Sequence, residues 1–237
     1  MLKKVLLAGA ASLFTLSAAQ AADIVAPEVY DWTGPYLGLQ GGYGWGENDV
    51  SATDSEDSTE EVILFDAAIA NGRDGDMDLE GFIGGLHLGY NWQSDALVLG
   101  VEGDIEFSDM DGDTDVVDAM GTKIGSIEQE IDWLGSLRLR AGFAADRALF
   151  YATGGLAVGG VELTLKDGAG DEFASNSETN WGWTLGGGVE YAFTDDLSAR
   201  IEYRYTDLGD IEADDDGDGG KADTAFHAVR AGLSWHF

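Results

Sequence analysis

Eight segments of this chain alternate apolar and polar residues with a period of two, and this pattern constrains the fold more than any other feature. Successive side chains of a strand point to opposite faces, so each segment reads as a strand with one apolar and one polar face. The segments run Thr33–Trp45, Glu80–Gln93, Ala96–Ser108, Ile127–Phe143, Ala148–Leu165, Asn180–Phe193, Leu197–Leu208 and Thr224–Phe237. In the third, Leu97, Leu99, Val101, Ile105 and Phe107 share one face, and Glu102, Asp104 and Glu106 the other. In the fourth, Ile127, Ile131, Trp133, Leu137, Leu139 and Phe143 oppose Glu128, Glu130, Asp132, Arg138 and Arg140.

Connection lengths alternate as well. Short turns at Ser94-Asp95, Ala144–Arg147 and Thr194–Asp196 alternate with long polar stretches at Gly46–Leu79, Asp109–Ser126, Lys166–Thr179 and Gly209–Asp223. A soluble sandwich would bury the apolar face, whereas a membrane barrel turns it toward lipid. Three observations favour the barrel. The polar face is rich in glycine and charge, the apolar face carries Trp and Tyr near strand ends, and the strands exceed the roughly 9–11 residues that cross a bilayer. Turning the fourth strand over would place five charges in lipid, at about 2–4 kcal/mol for each midplane Arg. The expected fold is all-β: one eight-stranded, antiparallel, transmembrane up-and-down barrel, with ten strands as the alternative if part of Val62–Ala70 pairs.

The start of the chain fits export. Lys3 and Lys4 precede an apolar run from Val5 to Leu16, and Ala19-Gln20-Ala21 fits a cleavage site. Residues 1–21 are expected to be removed. Residues 22–237 then form a single barrel domain with Asp23–Asp31 as a short periplasmic lead-in. The chain has no Cys, which excludes disulfides and thiolate metal sites. It has 45 acidic residues against 12 basic ones, which opposes nucleic-acid binding.

Charged residues on the inward face are the candidate site. By parity they are Glu102, Asp104, Glu106, Glu128, Glu130, Asp132, Arg138, Arg140, Glu190, Arg200, Glu202, Arg204 and Arg230. An eight-stranded barrel has an interior just filled by side chains, and buried charges need partners. The expected arrangement is an Arg–carboxylate network that plugs the lumen; the functional alternative is an ion path. Since inward acids outnumber inward arginines, a pore would prefer cations. His87 faces inward by parity, and His227 and His236 sit at strand ends, where interfacial placement is expected. None has a Ser two residues later, as a barrel lipid deacylase would, so no catalytic residue is expected.

Asp214, Asp216, Asp218 and Gly219 match the start of a calcium loop, but Ala225 stands where the bidentate Glu is required. Asp111-Gly112-Asp113-Thr114-Asp115 and Asp74-Gly75-Asp76-Met77-Asp78 are weaker matches. No cofactor or metal site is expected beyond loosely held divalent cations that bridge acidic loops to anionic lipopolysaccharide.

Several stretches carry a family resemblance. Trp32–Gly38 with Gly42–Gly46, Gly81–Gly85 with Gly89–Gln93, and Gly100–Asp104 are three of them. Trp183–Tyr191 followed by Ile201–Gly209, and His227–Gly232 with terminal Phe237, complete the set. In this order and spacing the chain resembles the alphaproteobacterial outer-membrane surface antigens, a porin-like branch of the small OmpA/opacity-type barrels. The resemblance implies an eight-stranded barrel in the cell outer membrane and a surface or envelope-integrity role, with loops more acidic than the family would suggest. Leu233, Trp235 and Phe237 at the C-terminus resemble the signal read by the outer-membrane insertion machinery. The expected partners are therefore outer-membrane lipid, lipopolysaccharide and that machinery, with the protein a monomer. The expected function is a non-catalytic, envelope-stabilising surface barrel, with a small cation-preferring diffusion channel as the alternative.

Overall fold

A computed structural model describes residues 30–52, 76–117, 122–167, 169–170, 172–212 and 220–237. Eight strands close into one antiparallel barrel in sequence order: β1 Gly34–Ala52, β2 Asp76–Ser94, β3 Leu97–Val117, β4 Lys123–Ala145, β5 Ala148–Asp167, β6 Glu172–Ala192, β7 Leu197–Glu212 and β8 Gly220–His236. β1 pairs with β8 through registers such as Leu39↔Leu233 and Trp45↔His227, so the sheet has no open seam at membrane level. Closure satisfies every backbone donor and acceptor where no water is available. The stretch Val62–Ala70, the calcium-like Asp214–Gly219, the Asp74-Gly75 half of the other acidic motif, and residues 1–21 all lie outside the described residues.

The apolar parity face points outward. Leu39, Phe82, Leu88, Phe107, Leu139, Leu156, Leu185 and Ile201 are each about half exposed or more, and together they form the lipid-facing band. Aromatic pairs mark its two borders. Tyr90–Trp92 and Tyr191–Phe193 lie toward the short-turn end, while Tyr43–Phe82 and Trp183–Tyr205 lie toward the long-connection end. Rings that are apolar in body and polar at one edge suit such borders. Two of the short turns are tightened by Asp95 at φ 55° and Asp146 at φ 51°, a backbone region that Asp tolerates better than most residues.

The strands are longer than the alternation indicates. The long polar stretches at Asp109–Ser126 and Lys166–Thr179 are mostly paired strand rather than loop. β3 pairs with β4 out to Val117↔Lys123, and β5 with β6 out to Lys166↔Glu172. Strand pairing is a backbone matter, and above the lipid both faces meet water, so the apolar alternation stops while the ladder continues. β4 has 23 residues. At about 3.3 Å per residue and a tilt of about 40° it rises roughly 55–60 Å, against an apolar band about 25 Å tall.

One bulge alters the inward set. Between Ile131 and Trp133 the β4–β5 register slips by one residue, leaving Asp132 without a partner. One extra residue reverses the facing of everything beyond it. Trp133, Leu137 and Leu139 face out, as parity gives, but Ile131 is buried inside the barrel. Glu130 and Asp132 are exposed on the outside, which corrects their inward assignment. Glu128, two residues before Glu130 on the same flipped face, also points outward rather than inward, half-exposed in an ion pair with Lys166 at 2.5 Å.

Candidate functional site: a filled lumen

The lumen is filled in three layers. The middle layer holds the charges. Five acids (Glu102, Asp104, Glu106, Glu190 and Glu202) and five arginines (Arg138, Arg140, Arg200, Arg204 and Arg230) have side chains essentially inaccessible to water. Every one of the acids is held by at least one of the arginines. β3 supplies a comb of three at positions 102, 104 and 106, because alternate residues of one strand point the same way.

Glu102 is the hub. It accepts from Arg138 of the adjacent strand, from Arg200 at 2.5 Å and from the Tyr36 hydroxyl at 2.7 Å. Glu202 accepts from Arg138 at 3.0 Å, from Arg204 at 2.8 and 2.7 Å, and from Tyr151 at 3.1 Å. Asp104 accepts from Arg138 at 3.1 Å, Arg204 at 3.3 Å and Ser136 at 2.6 Å. Arg230 donates to both oxygens of Glu106, at 2.9 and 3.0 Å, and Gln40 adds a bond at 2.8 Å. Arg140 pairs with Glu190 and lies 3.7 Å from the Tyr151 ring centroid, a cation–π contact. The network therefore joins β3 to β7 and β8 on the opposite wall and braces the barrel across its width. One void beside this layer, lined by Asp104, Glu106, Arg204 and Arg230 among others, measures about 10 Å³, room for about one water.

With Glu128, Glu130 and Asp132 on the outer face, the buried carboxylates and arginines among the described residues balance at five against five. The excess of inward acids expected from parity is absent, and with it the ground for cation preference.

Toward the long-connection end lies an apolar layer of Leu79, Ile83, Met110, Ile131, Leu134, Ala157, Val161, Leu208, Phe226 and Ala228. Toward the short-turn end lies a second, in which Tyr30 and Trp32 of the lead-in pack on Val98, Ala144, Leu149, Tyr151 and Ala192. The lead-in is pinned there by its own bonds. The Tyr30 amide donates to the Asp146 carbonyl at 3.2 Å and its hydroxyl to the Asp195 carbonyl at 2.7 Å; the Trp32 amide donates to Gln93 at 2.8 Å.

The histidines divide by face. His87 is buried and bonds Ser234 at 2.8 Å. His236 is not interfacial as its position at a strand end suggested; by parity opposite to Trp235 it points inward, 2.9 Å from Ser198 and beside Glu190. His227 faces out, bonded to the Tyr203 hydroxyl at 2.7 Å and ringed by Trp45 and Tyr205. Leu233, Trp235 and Phe237 all face out on the terminal strand, each about half exposed or more. Asp111, Asp113 and Asp115 alternate along β3 above the band with their side chains exposed.

Parity also implicates Tyr36, Gln40 and Tyr151, which lie between the outward residues of β1 and β5. Leu208 and Phe226 keep the inward parity of their strands within the alternating segments, and Met110 keeps it two residues beyond Ser108. Ile131 carries no sequence signal for its inward position.

The sequence profile of the outer membrane protein β-barrel domain matches residues 8–237. The chain belongs to this outer-membrane β-barrel family. It is 37% identical over 253 positions to the 31 kDa outer-membrane immunogenic protein of Brucella melitensis biotype 1, covering 100% of both chains. It is 32% identical over 213 positions to the 25 kDa outer-membrane immunogenic protein of Brucella abortus biovar 1, covering 90% of this chain and 82% of the other. A 22 kDa outer membrane protein of Rhizobium leguminosarum bv. viciae is 39% identical over 127 positions, 54% of this chain and 53% of that one. Among solved structures, the outer membrane protein OprG from Pseudomonas aeruginosa overlaps at a TM-score of 0.48 with 14% identity, over 86% of this chain and 97% of the other.

As an outer-membrane barrel the protein turns its short connections to the periplasm and its long ones outward. Tyr30 and Trp32 thus close the periplasmic end. Burial and the neighbouring Glu190, Asp195 and Asp196 carboxylates push the Tyr30 phenol up to about 12. A raised phenol stabilises the docked lead-in below pH 10, and that contribution is lost as pH climbs from 10 toward 12. Alkaline difference absorbance, with a Tyr30→Phe variant subtracted, is expected to show this phenol ionising near 12. A midpoint near 10 would mean that the lead-in is undocked in solution.

Proposed function

We propose that this protein is a non-catalytic, non-conducting barrel that stabilises the envelope and presents an acidic surface outside the cell. The observation that carries the reading is the three-layer filling of the lumen, with its balanced charges and a void of about 10 Å³. A hydrated ion path needs continuous water, and the void of about 10 Å³ beside the Arg–carboxylate layer has room for about one molecule. Moving a buried ion out of its pair costs several kcal/mol, so the layer does not part to let an ion through. A catalytic reading lacks support as well. Ser198, His236 and Glu190 lie together, but all three are buried beneath the docked lead-in, and Glu190 accepts from Ser198 itself. The outward Leu233, Trp235 and Phe237 fit recognition by the insertion machinery.

The mature chain refolded into a planar bilayer is expected to give no discrete conductance steps while its heat-modifiable gel shift shows it folded. Steps that change in an Arg138→Ala variant would overturn the closed reading and make the protein a narrow channel.

A further inference from the structure

A row of outward side chains crosses four neighbouring strands at the outer border of the membrane. Trp45 on β1 pairs with Glu80 on β2 and with His227 on β8, and His227 pairs with Tyr205 on β7. The rings crowd together. His227 stacks against Trp45 at a centroid distance of 6.2 Å and against Tyr203 at 5.8 Å, with Tyr205 tilted at 5.0 Å. The bond between the Tyr203 hydroxyl and His227 Nδ1 fixes the imidazole in this stack. Two residues before His227 on the same face stands the small Ala225. There a cleft of about 640 Å³ opens, lined by Trp45, Asp78, Glu80, Tyr205, Ala225 and His227 among others, a size within the range of small-ligand sites.

The charge in this cleft has one sign. Asp78 and Glu80 are exposed in it, and among the described residues no lysine or arginine lines it. Glu80 accepts a bond from the Tyr43 hydroxyl, a neutral donor that uses one of about four acceptor positions and leaves the carboxylate its charge. Aromatic faces attract cations as well, and rings grouped as a cage are a recognised means of holding an ammonium group. A phosphate would meet two carboxylates here with no cation to offset them.

Below the cleft the outer wall is hollowed. Four residues down β1 from Trp45, about 13 Å along the strand, Gly41 pairs with Gly84 on β2 and with Ala231 on β8. A Cβ on Gly41 or Gly84 would meet nothing nearer than 3.7 or 3.6 Å, whereas on the inward Gly42 it would lie 2.2 Å from the Val229 carbonyl. The barrel's own packing does not require these two outward glycines, and a glycine inside a strand weakens it unless something approaches closely. Tyr43, between cleft and hollow, leans its ring onto Phe82 at 5.2 Å, toward β2. The way down from the cleft past Val229 lies on its other side.

We propose that this cleft holds the ammonium head of a cationic amphiphile in the outer leaflet, with its acyl chain laid down the outer wall over Gly41 and Ala231. The cleft lies outside the barrel, so the proposal is independent of whether the lumen conducts. The probe is dodecyltrimethylammonium, titrated into the refolded mature chain in micelles of a neutral maltoside detergent. Its control is dodecyldimethylamine oxide, of similar shape and no net charge. Nuclear magnetic resonance reads saturation of the Trp45 and His227 ring shifts and transfer from the N-methyl protons to those rings. The cation is expected to saturate the site at a roughly tenfold lower mole fraction than the oxide. Trp45→Leu, which leaves the charge unchanged, is expected to weaken the cation roughly tenfold, and Asp78→Asn with Glu80→Gln to abolish the preference over the oxide. The heat-modifiable gel shift shows each variant folded. Equal saturation by both probes would leave only an apolar groove, and undiminished binding in Trp45→Leu only a general attraction to an acidic protein. Either result, contacts spread equally to Tyr191 and Phe193 at the opposite border, or no saturable binding would overturn the proposal.

Discussion

Replacing Glu102 by Gln is expected to destabilise the refolded barrel by about 3–5 kcal/mol, the scale for breaking a buried ion pair from one side. The shape of the side chain is kept, so the loss is electrostatic. Arg138 and Arg200 both lose charge compensation at the hub, and Arg200 is left donating to the neutral Gln40 carbonyl oxygen at 2.5 Å. Arg138 keeps Asp104 and Glu202, so Arg200 carries most of the cost. A double variant that also replaces Arg200 by Met removes the stranded charge and is expected to recover much of the loss. Equilibrium urea unfolding in micelles, read by tryptophan emission, measures both. A change below about 1 kcal/mol for the single variant would place the pair in the range of solvent-screened surface bridges, and the middle layer would then have to be wet.

Replacing Trp32 by Ala has an effect of similar size for a different reason. Trp32 is 1% exposed and forms the base of the lumen with Tyr30. Deleting a buried Trp side chain costs about 3–5 kcal/mol through lost burial and the cavity left behind. The same unfolding titration should show a midpoint lowered accordingly. The variant should also remain silent in a planar bilayer, because the charged layer above the base is untouched. Conductance appearing on loss of Trp32 alone would make the lead-in the seal and the ion network a permeable filling.

Most of the architecture is legible in the residues. Alternation gives eight strands and their lipid face because the bilayer penalises a charge on the wrong side strongly enough to keep the pattern clean, as in Leu97 to Phe107 against Glu102 to Glu106. The same reasoning places Arg138, Arg140, Arg200, Arg204 and Arg230 inside. It fails at Glu128, Glu130 and Asp132 because a one-residue bulge leaves no mark in composition; nothing in Ile131-Asp132-Trp133 distinguishes an extra residue from a paired one. Strand ends above the rim are illegible for a related reason. Where both faces meet water, as along Asp111 to Asp115, polarity no longer reports on pairing. Nor does parity give the partners of the inward charges. Glu190 stands opposite Arg200 in the register, yet Arg140 holds it, and Arg200 reaches across to Glu102. Reach across the lumen, rather than adjacency along the sheet, decides those pairs.

The equality of five buried acids and five buried arginines divides the molecule into two electrical worlds. Among the described residues, further acids such as Asp111, Asp113, Asp115, Glu130 and Asp132 are exposed outside the wall, where ions from the medium gather within a Debye length of about 8–10 Å and mute them. The neutral interior is beyond their reach. Salt can therefore retune what the exterior attracts or repels while the girders that hold the cylinder open against collapse keep their strength, so a cell passing from dilute to saline surroundings changes the face of this protein without changing its frame.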